Sequence, residues 1–279
     1  RFSLMEPTTK HFVLNIDSGG RKSSGVDLAV EEPLEIRLNG KPYAVIMRSP
    51  GCETELACGF CLTEGIVDSF SEIAGCGFCA DAADNASNVV NVILADARCA
   101  KNGSESEDLR LSSGRKYESR SGCGICGVEM LDDLRKKVRP IESDMKAGAA
   151  DLMKMQRLMV EHQALGAKTR STHAAGLFKP DGTLVVVRED VGRHNALDKV
   201  IGFAMMNGVN AGGCVAFLSS RLSFEMAQKA ARAGIPIVCA VSAATSMAVE
   251  LADSLNCCLA GRMRDDSMMV YTCRDRIVF

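Results

Sequence analysis

After residue 213 the chain alternates short apolar runs with longer amphipathic ones, and no other feature narrows its fold as much. Residues 214–218, 235–241 and 257–263 have the length and aliphatic content of buried strands, and residues 222–233 and 247–255 between them have helical length. Such alternation implies parallel strands joined by right-handed crossovers. Upstream, 174–178 reads as a strand, Lys179-Pro180-Asp181-Gly182 as a turn and 184–187 as a returning strand. Proline presets φ in that turn and glycine takes its left-handed position. Residues 190–206 begin polar and become helical, with Leu197, Val200, Ile201, Ala204 and Met205 as an inward stripe. Residues 149–165 read as one helix with Leu152, Met155, Met159 and Leu158 inward, ended by Gly166.

Ligands of open α/β sheets bind beyond the carboxyl ends of the strands. Here those ends carry Ser219-Ser220-Arg221, Ser242-Ala243-Ala244-Thr245-Ser246 and Arg262-Met263-Arg264. Hydroxyls, helix amino ends and arginines suit an anion, a phosphate best. The plain alternative is helix capping by Ser and Thr, which has no need of the three arginines.

The first half is less regular. Residues 12–16 read as an edge strand and 18–25 as a polar glycine-rich loop. Asn39-Gly40 between residues 34–38 and 42–47 is a strong hairpin signal, with Pro42 favouring an edge position. Residues 53–64 read as a helix closed by Gly65, with Cys58 and Cys61 sharing one face, which a core explains best. Residues 89–94 read as a strand, 96–122 as a long polar excursion and 129–138 as a short helix stopped before Pro140. A domain boundary is placed there, giving parts 1–139 and 140–279.

The excursion leads into Ser121-Gly122-Cys123-Gly124-Ile125-Cys126-Gly127, with Arg115, Lys116 and Arg120 just upstream. Glycine makes this a loop, and nearby cations favour the reactive thiolate. The reading is a sulfur nucleophile on a cationic tether. A structural zinc site joining Cys76/Cys79 to Cys123/Cys126 is the alternative, although the spacing exceeds that of common zinc ribbons. A zinc deaminase is a second alternative: Thr172-His173-Ala174-Ala175 stands where such enzymes carry His-x-Glu, but Ala175 replaces the glutamate and Ser219-Ser220-Arg221-Leu222 stands where two thiolates would follow. His173 can still contact a ligand, and His194, at a helix start, can donate to an anion.

Thirteen cysteines, several inside apolar runs, point to buried thiols in a reducing compartment, hence the cytoplasm. A net charge of -2 gives no pull toward nucleic acid or an anionic membrane surface. Neither a signal pattern nor a membrane-spanning run is present, so neither kind of partner is expected.

The run Arg188-Glu189-Asp190-Val191-Gly192-Arg193-His194-Asn195-Ala196-Leu197-Asp198-Lys199, with Thr172-His173-Ala174-Ala175, Glu225–Ala231, Cys123-Gly124-Ile125-Cys126-Gly127 and Gly59-Phe60-Cys61-Leu62-Thr63-Glu64-Gly65-Ile66, resembles the formate dehydrogenase accessory sulfurtransferase family, FdhD. The resemblance implies an α/β protein. It would have a C-terminal three-layer α/β/α domain of cytidine-deaminase type behind a smaller N-terminal α+β domain, and would form a homodimer. It implies a sulfurtransferase that takes sulfur from a cysteine desulfurase as a persulfide on Cys123, with Cys126 as the supporting thiol. Delivery would be to a bis-molybdopterin guanine dinucleotide cofactor holding molybdenum or tungsten, for the catalytic subunit of formate dehydrogenase; GDP would mimic that cofactor. The family's cofactor segment maps onto Arg262, Met263, Arg264, Asp265, Asp266 and Ser267, beside Arg221 and His173. The chain departs from the family there, with Asp265, Asp266 and Ser267 in place of a glycine pair and a second arginine.

Overall fold

The fold is described from a computed structural model, over residues 6–79, 87–95 and 138–279. β1 (Thr8–Asp17) and β2 (Gly20–Ala29) form an antiparallel ribbon. Residues 20–25, expected as loop, are therefore strand: their polar side chains carry no apolar alternation, and cross-strand pairing from Asp17↔Gly20 outward holds them. β3 (Glu32–Leu38), β4 (Lys41–Arg48), β5 (Ile73–Phe78) and β6 (Val89–Leu94) form a second sheet in the order β4-β3-β6-β5. The Asn39-Gly40 hairpin is present, and Pro42 lies on the edge strand β4 as expected. β5 had no clear sequence signal, because Gly75 and Gly77 interrupt it.

Helix α1 (Glu53–Thr63) lies between the two halves of the chain. The second half opens with β7 (Ala147–Gly148), followed by α2 (Ala149–Glu161) and a separate short helix α3 (Ala164–Thr169). Gly166 therefore lies inside α3 and does not end α2. Leu152, Met155 and Met159 are buried as the stripe predicts. β8 (His173–Phe178) and β9 (Leu184–Asp190) form the expected hairpin, and α4 (Arg193–Met206) follows. Then come β10 (Val215–Leu218), α5 (Phe224–Arg232), β11 (Ile237–Ala240), α6 (Ser246–Ser254) and β12 (Cys258–Gly261). β13 (Met269–Val270) returns along β12, and β14 (Ile277–Val278) pairs with β7.

The main sheet has the order β13-β12-β11-β10-β8-β9. β10, β11 and β12 are parallel, as the alternation requires, while β8 and β13 run against their neighbours. The sheet is thus mixed: the Pro-Asp-Gly turn folds β9 back on β8. β9 then runs in the same direction as β10, so four strands, β9 to β12 without β8, end at one edge.

Side chains alternate between the two faces of this sheet. Val215, Phe217, Cys239 and Cys258 pack with Leu152, Met155 and Met159 of α2. Ala216, Leu218, Val238 and Leu259 face α4, α5 and α6. The same apolar cluster continues through Leu56, Ala57, Cys58 and Cys61 of α1 to Leu34, Ile36, Val90 and Val92 of the second sheet, so it draws on both sides of residue 140. α1 and α4 cross at glycines. A Cβ on Gly59 would lie 1.9 Å from the Asp198 carbonyl oxygen, and one on Gly202 would lie 1.8 Å from that of Glu55.

Candidate functional site

Three helices, α4, α5 and α6, begin at the edge where β9 to β12 end. Each presents unpaired backbone amides and the positive end of its dipole there. Capping by side chains was the plain explanation for the serines and threonines at this edge. It does not hold for the two cap residues: Ser223 before α5 and Thr245 before α6 have extended backbones, but neither side chain makes a capping bond. Gly192, before α4, has no side chain to offer.

The cations gather on the same edge. Arg221 is exposed after β10. Arg262 is exposed at φ 51°, its amide donating to the Ser242 carbonyl at 2.9 Å. Arg264 Nη1 donates to the carbonyls of Val241 (3.1 Å) and Met263 (2.6 Å), which fixes one side of the guanidinium. The Arg264 amide closes a turn on the Ser267 carbonyl at 2.8 Å. Met263 is buried against the α2 face of the sheet, so its side chain faces the core. Asp265 leans toward α2, its Oδ1 3.3 Å from Arg157 Nε, and Asp266 accepts from the Ser267 hydroxyl at 3.3 Å. The Asp265–Arg157 pair is exposed and stabilises by at most ~1 kcal/mol, yet it partly offsets the negative charge expected to oppose an anion.

His173 starts β8 at this edge, with Nδ1 3.4 Å from Ser219 Oγ, which also accepts from the Ala174 amide at 2.9 Å. Burial, with the charges of Arg193 and His194, pushes His173 below the usual histidine range. Ala175, where a deaminase would hold its glutamate, is enclosed within β8. Across the edge, His194 Nε2 is 2.5 Å from Glu225 Oε2, joining the first turns of α4 and α5. That bond, helped by nearby cationic charge, holds the Glu225 carboxyl below the usual range. Glu225 was missed as a site residue in the sequence, where an acid in a first helical turn is an ordinary stabilising choice.

Most other polar residues of the 188–199 run are structural. Arg188 makes a two-pronged bond to Glu55 at 2.6 and 2.8 Å. Asp190 and Lys199 are buried at 2.8 Å from each other, and Lys199 also donates to the Ser49 carbonyl at 3.0 Å. Asn195 donates to the Met47 carbonyl at 2.7 Å. Asp198 binds Lys229, which also donates to Thr63 Oγ1 at 2.9 Å and Glu64 Oε1 at 3.0 Å. These bonds fasten the first half of the chain to the start of α4, leaving Arg193 and His194 at the open edge.

Cys123 and Cys126 lie outside the described residues. Among the thiols that are described, Cys58, Cys61, Cys214, Cys239, Cys257 and Cys258 are buried. Burial pushes the Cys258 thiol up to about 12, and Cys239 and Cys257 also up. These three stay protonated at neutral pH and serve as small core residues. Among the described residues, no group of three or more His, Cys, Asp or Glu is placed to hold a metal ion.

The described molecule is thus an α/β protein with a cationic, amide-rich edge on a mixed sheet. The chain belongs to the FdhD/NarQ family, whose profile matches residues 29–278. It is 40% identical over 276 residues to a protein of Mycolicibacterium paratuberculosis named sulfur carrier protein FdhD, covering 98% of this chain and 100% of that protein. A protein of the same name from Mycobacterium tuberculosis is 42% identical over 254 residues, covering 90% of this chain and 91% of the relative. The crystal structure of a candidate formate dehydrogenase accessory protein from Desulfotalea psychrophila superposes with a TM-score of 0.78 at 24% identity, covering 98% of this chain and 100% of the other.

Proposed function

We propose that the chain is a sulfur carrier for formate dehydrogenase, loaded by a cysteine desulfurase at Cys123 and unloading onto a molybdenum or tungsten bis-molybdopterin guanine dinucleotide. In the first step the Cys123 thiolate attacks the outer sulfur of the donor's persulfide. The donor's S–S bond breaks and the donor leaves as a thiolate. In the second step the outer sulfur passes from Cys123 to the metal. The electron pair of the broken S–S bond stays on Cys123, so the sulfur leaves as a neutral atom and the metal supplies the two electrons that make it a sulfido ligand. Cys126 is the neighbouring thiol that can accept the sulfur in between.

The observation that carries this reading is the edge formed by β9 to β12 in a chain whose relatives are named sulfur carriers. A guanylated cofactor brings phosphates, which suit Arg221, Arg262, Arg264 and uncapped helix amides. The ends of β10 and β12 are two strand spacings apart, about 10 Å, a span that a nucleoside diphosphate bridges. His173, Asp265, Asp266 and Ser267 border it, and Met263 anchors the turn. The reading carries with it a 1–139/140–279 division into two parts, a homodimer and a cytoplasmic setting.

Incubation with a desulfurase and cysteine, followed by peptide mass spectrometry, tests it. The peptide spanning residues 122–127 gains about 32 Da, one sulfur atom, and Cys123→Ala loses both this gain and maturation of the dehydrogenase. Full maturation by that variant refutes the mechanism.

A further inference from the structure

We infer that Glu225, held by His194, reads the guanine base of the cargo, its carboxylate accepting from the ring N1–H and the N2 amino group. The inference rests on the guanylated-cargo reading above and names the residue that selects the base. Glu225 gains nothing from phosphates bound at this edge, although its place in the first turn of α5 also suits the helix dipole. Arg221, Arg262, Arg264 and three helix amino ends attract anions, and Glu225 would repel them. Yet its side chain stays half exposed, at 50%, and His194 fixes it by a bond to Oε2. Among the described residues Oε1 has no hydrogen-bond partner, and Oε2 keeps a second acceptor site. The group is therefore an oriented, ionised double acceptor at the rim of a nucleotide-sized edge.

Of the common bases, guanine presents two adjacent donors on one edge, N1–H and the N2 amino group, to match such a fork. Adenine and cytosine each present one amino group next to an acceptor, which a carboxylate repels. The position suits this division of labour. Glu225 and His194 lie by the β8–β10 end of the edge, where Arg221 follows β10, and Arg262 and Arg264 lie at β12, so the base falls at the first end and the terminal phosphate toward the second. His194 is a positioning residue and Glu225 the contact.

Calorimetry on the full chain with GDP, IDP and ADP tests this, IDP differing from GDP by loss of the N2 amino group. The wild type binds GDP about tenfold or more tighter than IDP, and ADP weaker still. Glu225→Gln, checked for an unchanged melting temperature, loses roughly ten- to hundredfold in GDP affinity, and the GDP-to-IDP ratio collapses toward one. His194→Gln gives a smaller loss in the same direction. If the wild type binds GDP but the ratio is the same in Glu225→Gln, Glu225 serves only its helix and the inference is overturned. Equal binding of GDP and ADP by the wild type overturns base reading while leaving phosphate-led cargo binding intact. No GDP binding at all removes the cargo reading and this inference with it.

Discussion

Replacing Lys229 with methionine isolates one of the buried ion pairs of the core. Lys229 Nζ lies 2.9 Å and 3.1 Å from the two oxygens of Asp198, with both side chains at least nine-tenths buried. Burial alone would lower the lysine, but the Asp198 and Glu64 carboxylates outweigh it and hold it above its usual value. Burial pushes Asp198 upward, and Lys229 is the chief influence opposing that shift. In Lys229→Met the carboxylate keeps Thr63 Oγ1 at 2.8 Å but loses its counter-charge. An uncompensated buried charge costs about 3–5 kcal/mol, which lowers the melting temperature by roughly 6–15 °C in a chain of this size. The sign of the pH dependence follows. With its folded-state pKa raised further above the unfolded value, Asp198 destabilises the fold only when ionised. The deficit is full above the folded-state pKa and disappears below the unfolded one. Melting wild type and variant in parallel from pH 8 to pH 5 therefore shows the gap narrowing toward acid. Asp198→Asn added to Lys229→Met recovers more than half of the loss. A deficit below about 1 kcal/mol, a gap that widens toward acid, or no recovery in the double variant refutes the reasoning.

Gly202→Ala at the α1–α4 crossing gains helix propensity of about 1 kcal/mol, but its new methyl meets the Glu55 carbonyl 1.8 Å away. The variant is expected to be less stable by about 1–3 kcal/mol, read from urea midpoints; a stabilised variant contradicts the crossing. Iodoacetamide at pH 8 on the native protein leaves Cys239 and Cys257 unmodified, since both are buried and pushed up by burial, whereas denatured protein is labelled at both; native labelling at either site argues against this packing. Arg264→Ala weakens GDP binding by calorimetry, roughly five- to tenfold for one charge-assisted contact at an exposed rim, and unchanged affinity moves the phosphates elsewhere.

The second half of the chain was legible because its hydrophobic periods are long and its punctuation is chemical. Pro180, Asp181 and Gly182 turn β8 into β9, and the buried cysteines of β11 and β12 fall inside apolar runs, as small core residues do. The arginines at the strand ends were found for the same reason: topology alone sends Arg221, Arg262 and Arg264 to one edge. Residues 20–25 of the ribbon strand β2 read as loop because Arg21, Lys22, Ser23 and Ser24 carry no apolar alternation; their order comes from pairing with β1. No sequence pattern reveals that Asp198 and Lys229, 31 positions apart on different helices, meet in the core. Glu225 was hidden likewise, because its partner His194 belongs to another helix.

The glycine crossing of α1 and α4 has a further bearing on how the molecule can be handled. Two backbones in near contact leave no layer of side chains that could be repainted with polar residues to make either half independent. Residues 140–279 expressed alone would bare the Asp198–Gly202 stretch of α4 to water and strip Asp198 of Thr63, and residues 1–139 alone would bare Gly59 and the Glu55 carbonyl of α1. Neither portion is a transplantable module, so engineered fusions and chimeras need to carry the whole chain, with insertions directed to its ends.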